Sequence, residues 1–295
     1  MPIEHLLPPH LKELSPGFTV RRSLPAVARR AIGPFLFFDH FGPVTGHPGD
    51  DHDVRPHPHI GLATVTYLFE GAMDHRDSLG NFQRIEPGAI NWMSAGSGIV
   101  HSERTPPELK RAGWRSHGLQ LWVGLPLEHE EMAPSFRHTP GSAIPVLEAE
   151  GVQVRVLIGS LNGCRSPVTT ESPTLYLDVA APPAGSLLLP ARMDSAPVER
   201  GCYSVDQGIE IDGVALPPFT LAALQNGKDA RINAPLGARF VVVGGAALNG
   251  GRRHIWWNFV SSRRERIEAA SQAWANQTMG QVPGETDFIP LPGLP

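Results

Sequence analysis

The sequence predicts an all-β protein: two successive blocks of short strands, each large enough for a barrel, and one short C-terminal helix. Three observations carry this. There are 31 glycines and 30 prolines, about a fifth of the 295 residues, and short strands broken at close intervals by such turn residues mark sandwiches and barrels. Between the turns lie short β-type runs, several of them alternating. Helical spacing of apolar residues occurs only near the C-terminus.

In the first block the β-type runs are 18–20, 35–38, 64–69, 82–85, 89–93 and 119–124. In the third of these, Val65, Tyr67 and Phe69 fall on one face and Thr64 and Thr66 on the other, the pattern of a half-buried strand. Residues 126–148, with their prolines, glutamates and histidines, read as a connector. The second block contributes 152–158, 174–179, 185–189, 201–205, 220–224 and the apolar run 240–243. Both blocks space strands with Gly and Pro but share no residue-level repeat. Ser262 and Glu265 then have capping-box spacing, and Ile267, Ala270 and Trp274 follow at helical intervals, which predicts a helix over 263–276. The Pro-rich stretch 283–295 is expected to wrap the surface.

Composition excludes several classes. Twenty-five basic against 29 acidic residues leave a formal charge of −4, so no global positive field draws the chain to nucleic acid or an anionic bilayer. The tight basic run Arg21, Arg22, Arg29, Arg30 reflects a general preference for arginine and reads as a solvated face. Cys164 and Cys202 form neither a disulfide framework nor a C-x-x-C pair and read as buried thiols in a reducing compartment. Residues 1–10 lack the basic start and apolar run of a secretory signal, and no stretch approaches 18 apolar residues. A cytoplasmic monomer without membrane or nucleic-acid partners is expected.

The histidines locate the chemistry. Twelve of thirteen precede residue 139, and 139–253 has none, so any imidazole-based site belongs to the first block. Two pairs there are spaced by two. His57 and His59 lie in Arg55-Pro56-His57-Pro58-His59, where the prolines favour extended backbone and place both rings on one face. His101 and Glu103 form the second pair. On adjacent strands, the two pairs present three imidazoles and one carboxylate to one point inside a barrel.

Other motifs fail. The segment 95–99 lacks the flanking glycines of a nucleophile elbow, and position 101 is His where a dinucleotide fingerprint needs its third glycine. His129-Glu130-Glu131 lacks the second histidine of a zinc-protease helix. His40 and His52 are candidates for a pocket mouth, with solvated loop histidines as the plainer reading. His75 beside Asp74, and His117 near Arg115, are candidates for holding ligands in place.

The segments Arg55-Pro56-His57-Pro58-His59-Ile60-Gly61, Asp77-Ser78-Leu79-Gly80, Asn91-Trp92-Met93, Ala95-Gly96-Ser97-Gly98-Ile99-Val100-His101-Ser102-Glu103 and His117-Gly118-Leu119-Gln120-Leu121-Trp122-Val123 resemble the pirin family of the cupin superfamily. Further on, His254-Ile255-Trp256-Trp257-Asn258-Phe259-Val260 and the helix resemble its bacterial form. The resemblance implies a bicupin, two tandem jelly-roll β-barrels with a short C-terminal helix: an N-terminal metal-binding barrel over 1–138, and a metal-free barrel with helix and tail over 139–295. It also implies one divalent ion, most often Fe(II) with Mn, Co, Ni, Cu or Zn as alternatives, held by His57, His59, His101 and Glu103. The usual cupin carboxylate would fall at Ala63 or Thr64, which carry none, so Glu103 supplies the fourth ligand. Such a mixed N/O set with open positions argues for chemistry, whereas a structural zinc is more often closed and thiolate-rich.

For bacterial members the resemblance implies quercetin 2,3-dioxygenase activity on a flavonol-like aromatic substrate and O2, with Glu103 both ligating the metal and accepting the flavonol hydroxyl proton. Phe37, Phe38, Phe41, Trp92 and Met93 are the candidate walls of the substrate pocket. A second reading is an iron-bound redox-sensing co-regulator that binds a partner protein. A third is a metallohydrolase that works without oxygen.

Overall fold

The computed structural model describes residues 2–15, 18–50, 53–194 and 196–293. It is mostly β, with two cupin domains. Among the described residues no helix is long and apolar enough to cross a membrane.

The chain divides into two compact units, but not at a single boundary. One unit comprises Met1–Lys12, Val20–Asp39 and Ser142–Ala247; the other comprises Glu13–Thr19, His40–Gly141 and Leu248–Pro295. The halves 1–138 and 139–295 expected from the sequence are continuous, whereas each of these units is assembled from three segments. The reason is strand pairing between distant segments. Ile3–Leu7 pairs antiparallel with Leu221–Leu224, with Leu7 opposite Leu221, and so joins the barrel of residues 142–247. Residues after 247 return to the histidine-bearing barrel, where Phe259 bridges Ile60.

The unit that contains 142–247 is built on a seven-stranded antiparallel sheet that runs from Ile3–Leu7 through Leu221–Leu224, Glu199–Ser204, Ala238–Gly245, Thr174–Ala181 and Val152–Ile158 to Val146–Ala149. A second sheet holds Gly185–Leu189, Ala230–Ala234, Ile209–Ile211 and Val214–Leu216. Alternate residues of these strands, such as Val152, Val154 and Val156 with Leu177, Val179 and Val242, form one buried apolar cluster. This is the two-residue period expected of strands packed face to face.

In the unit that contains 40–141, the strands Ser135–Thr139, Ile90–Ser94, Leu62–Glu70 and Trp114–Gly124 are neighbours in this order in one sheet. Leu62–Glu70 is buried on both faces up to Phe69, not half-buried as its alternation predicts. Residues 126–148 are not a plain connector: Ser135–Thr139 pairs with Ile90–Ser94, and Val146–Ala149 pairs with Val152–Ile158.

A four-stranded sheet carries the site, in the order Val54–His59, Ile99–Arg104, Met73–Asp77, Phe82–Ile85. Pro56 and Pro58 have no N–H to donate, which is tolerated because their strand is at the sheet edge. The turn after Asp77 is closed by that carboxylate, which accepts from Leu79 N at 2.9 Å, Asn81 N at 3.1 Å and Asn81 Nδ2 at 2.9 Å.

The helix Arg264–Ala275 buries Ile267, Ala270 and Trp274, as its periodicity predicts. Its capping box does not form. Ser262 instead donates its backbone N–H and its hydroxyl to Glu130, both at 2.6 Å. The three buried helix residues join Ile60, Val100, Phe259 and Val282 in one apolar cluster.

Candidate metal centre

Val54–His59 and Ile99–Arg104 run antiparallel, with His101 opposite His57 and Ile99 opposite His59. This register puts the three imidazoles side by side. Their ring centroids lie 4.3 Å (His57 to His101), 5.0 Å (His57 to His59) and 5.1 Å (His59 to His101) apart. One ligand nitrogen from each falls within 4.8 Å of the other two, and all three residues are buried.

Hydrogen bonds behind the rings settle which nitrogen faces the centre. His57 Nδ1 lies 2.9 Å from the Arg55 carbonyl oxygen and His59 Nδ1 lies 3.1 Å from that of Asn258. A carbonyl only accepts, so each Nδ1 carries the proton and each Nε2 keeps a free lone pair, the arrangement common behind metal-ligating histidines. His101 differs: both ring nitrogens are buried without a hydrogen-bond partner. Burying a polar group unpaired costs on the order of 1–3 kcal/mol, and a cation at the common point would partner one of the two nitrogens.

The electrostatics agree. Burial pushes the His57 pKa down to about 4, against the Arg55 carbonyl, which raises it. His59 and His101 are held well below the ordinary imidazole value by burial and then by the neighbouring rings. All three are thus neutral at pH 7, as metal ligands must be.

Glu103 stands outside the group of three. It is buried, and burial raises its carboxyl to a pKa of about 7; a nearby cation acts in the opposite sense and favours the carboxylate. The pairing with Val54–His59 shifts register between His101 and Glu103, so that Glu103 faces Val54; the extra residue lies in Val54–His59, and the alternation of Ile99–Arg104 continues in its regular pairing with Met73–Asp77.

On the other side of Ile99–Arg104, His75 is opposite Glu103 and Asp77 opposite His101. His75 stacks on Phe136, with centroids 4.1 Å apart, and lies 5.4 Å from the His101 ring. Its Nε2 is 3.1 Å from Asp77 Oδ2. Burial acts to raise the Asp77 carboxyl, but the hydrogen bonds from His75 and Asn81 outweigh it and hold the pKa below the usual carboxylate range. His117 Nε2 lies 2.7 Å from His40 Nε2, and His52 falls outside the described residues.

The pocket candidates separate. Phe37 and Phe38 belong to the unit that contains 142–247, where the Arg22 guanidinium lies 4.2 Å over the Phe37 ring and Phe38 meets Tyr203 at 4.7 Å. Phe41 lies 6.1 Å from Phe18. Trp92 is buried, with Nε1 donating to Ser94 Oγ at 2.9 Å. Met93 clusters with Ala95, Ile99 and Phe136, beside the ligand strand. The aromatic ring recorded against a ligand is one the pocket reading missed: Trp122, edge-on to His59 at 5.3 Å. Its place in the 117–123 motif was the available signal. The Asn258 carbonyl had none, since it is 199 residues from the ring it orients.

The chain matches the Pirin family model over residues 17–123 and the Pirin C-terminal cupin domain model over 176–280. A pirin-like protein of Caulobacter vibrioides is 42% identical over 281 residues, covering 94% of this chain and 95% of that one. Pirin of Homo sapiens is 35% identical over 243 residues, 79% of this chain and 78% of its own. Among solved structures, a quercetin 2,3-dioxygenase from Acinetobacter baumannii superposes with a TM-score of 0.90 at 33% identity, covering 99% of this chain and 95% of that chain.

Proposed function

The chain belongs to the pirin family of cupin proteins, and on that premise we propose that it is a metal-dependent dioxygenase cleaving flavonols, of quercetin 2,3-dioxygenase type. The observation that carries the reading is the convergence of three buried, neutral imidazoles within 4.8 Å, one of them with both nitrogens otherwise unpartnered. The likeness to the Acinetobacter baumannii enzyme supports the reaction class. In this reading His57, His59, His101 and Glu103 hold one divalent ion, Fe(II) before Mn, Co, Ni, Cu or Zn. Such an ion supplies Lewis acidity toward a substrate oxygen and, as iron, redox chemistry with O2.

The remaining work falls to the chain itself. Glu103, buried beside His101 in sequence, accepts the proton of the flavonol 3-hydroxyl. Trp122 and Met93 offer apolar surface to a planar ring system, and the enclosing barrel keeps water from the opening ring.

The test is oxygen uptake by metal-loaded protein with quercetin, run aerobically and anaerobically, with carbon monoxide measured in the headspace. Uptake and carbon monoxide that both depend on metal and flavonol are expected. Metal retained without flavonol loss would overturn the enzyme reading. Partner binding that follows Fe(II) against Fe(III) would then put the regulatory reading in its place.

A further inference from the structure

The two ligand-bearing strands have a back face, and one segment of the chain occupies it. Val100, between Ile99 and His101, and Ile60, next to His59, pack with Ile267, Trp274 and Val282. The backbone N–H of Ile289 donates to the Pro56 carbonyl at 2.8 Å, one residue before His57, and Trp274 Nε1 donates to the Ile289 carbonyl at 3.0 Å. Ser102, between His101 and Glu103, donates its hydroxyl to Glu285 Oε1 at 2.6 Å. Arg104 donates Nε to Glu285 Oε2 at 3.1 Å, and its guanidinium also reaches Asp287 at 2.8 Å and Asp53 at 3.4 Å.

Glu285 is the unusual member. Its side chain is 6% exposed, and a turn closed from Glu285 N to the Val282 carbonyl at 3.2 Å sets where it enters. A tail that merely covered apolar surface would need no buried carboxylate, since burying a charge is costly and a well-packed apolar side chain is often as stabilising. What a buried, fully paired carboxylate adds is register: it accepts from the one hydroxyl that lies between His101 and Glu103, at the point where the ligand strand shifts its pairing.

We infer that Glu285, through Ser102 and Arg104, is a positioning residue for the metal centre, and that the returning tail is its clasp. The inference rests on the reading of the three histidines as a metal site. Groups that hold ligands from behind commonly carry ten- to a hundredfold in metal affinity, and the tail supplies such a hold without touching the ion.

The experiment uses the full chain freed of metal and titrated with Co(II), whose visible bands report ligand geometry. Wild type is expected to bind Co(II) in a His101-dependent way. Glu285→Ala should bind about tenfold more weakly, with altered band positions. Glu285→Gln, which keeps an acceptor for Ser102, should recover part of the loss. Glu131→Ala, which removes a carboxylate from the exposed ion pair with Arg263 in the same unit, should leave the titration unchanged. If Glu285→Ala is folded and binds Co(II) with unchanged affinity and spectrum, the positioning role is overturned whatever the melting temperature does. Should that variant not fold, Ser102→Ala removes only the hydroxyl and must show the same weakening; an unchanged titration overturns the role equally. Wild type without His101-dependent binding would overturn the metal reading itself, and this inference with it.

Discussion

Four residues matter most, and they divide into three that the structure brings together and one that stands apart. His57, His59 and His101 owe their geometry to a register in which His101 faces His57, and their protonation state to burial, which keeps them neutral. The first and second hold their Nδ1 protons on carbonyl oxygens, so rotation of either ring breaks a hydrogen bond. Glu103 lies beyond the register shift, where a proton-accepting role and a ligand role can be told apart. Glu103→Gln keeps the shape and removes the basic oxygen. It is expected to lower kcat for flavonol cleavage by about a hundredfold, in the range of general-base losses, while weakening metal binding less than tenfold. Equal losses in the two measurements would contradict the proton-accepting role. The His57–His59 pair was legible in the sequence because a spacing of two in an extended, proline-flanked segment puts both side chains on one face. That Glu103 falls outside the group of three was not, since no local pattern reports it.

At the scale of elements, the strand periods were readable and their neighbours were not. The alternation of 64–69 identified a strand, but Thr64 and Thr66 are buried as well, at 3% and 5% exposure, which the alternation does not report. The helix emerged from apolar spacing alone, while its expected cap was taken over by Glu130, 132 residues away. The turn that leads out of the His57-His59 strand shows how tightly these elements fit. Gly61 has φ of +69°, and a Cβ built there would come within 2.0 Å of the Val260 carbonyl oxygen. Its own N–H bonds the Gly96 carbonyl at 2.9 Å, so the turn cannot simply move away. Gly61→Ala therefore combines backbone strain with a backbone clash and is expected to cost about 2–4 kcal/mol in urea unfolding. A change within 0.5 kcal/mol would contradict this account of the turn.

Over the whole molecule, the three clustered imidazoles all belong to the unit that contains 40–141, in keeping with the absence of histidine from 139–253. The interleaving of the chain between units was not legible, because Ile3–Leu7 finds its partner more than 200 residues away and pairing at that distance leaves no local pattern. The same holds for the C-terminal segment, whose Asn258 carbonyl and Ile289 N–H reach back to the ligand strand. The central claim is that this strand pair holds one cation. Its most direct measurement is elemental analysis of wild type and His101→Ala purified side by side, with circular dichroism to show that both are folded. The wild type is expected to carry about one transition-metal ion per chain and the variant less than about a tenth of that, since a ligand with no other partner is lost. A folded His101→Ala protein with wild-type metal content would contradict the account.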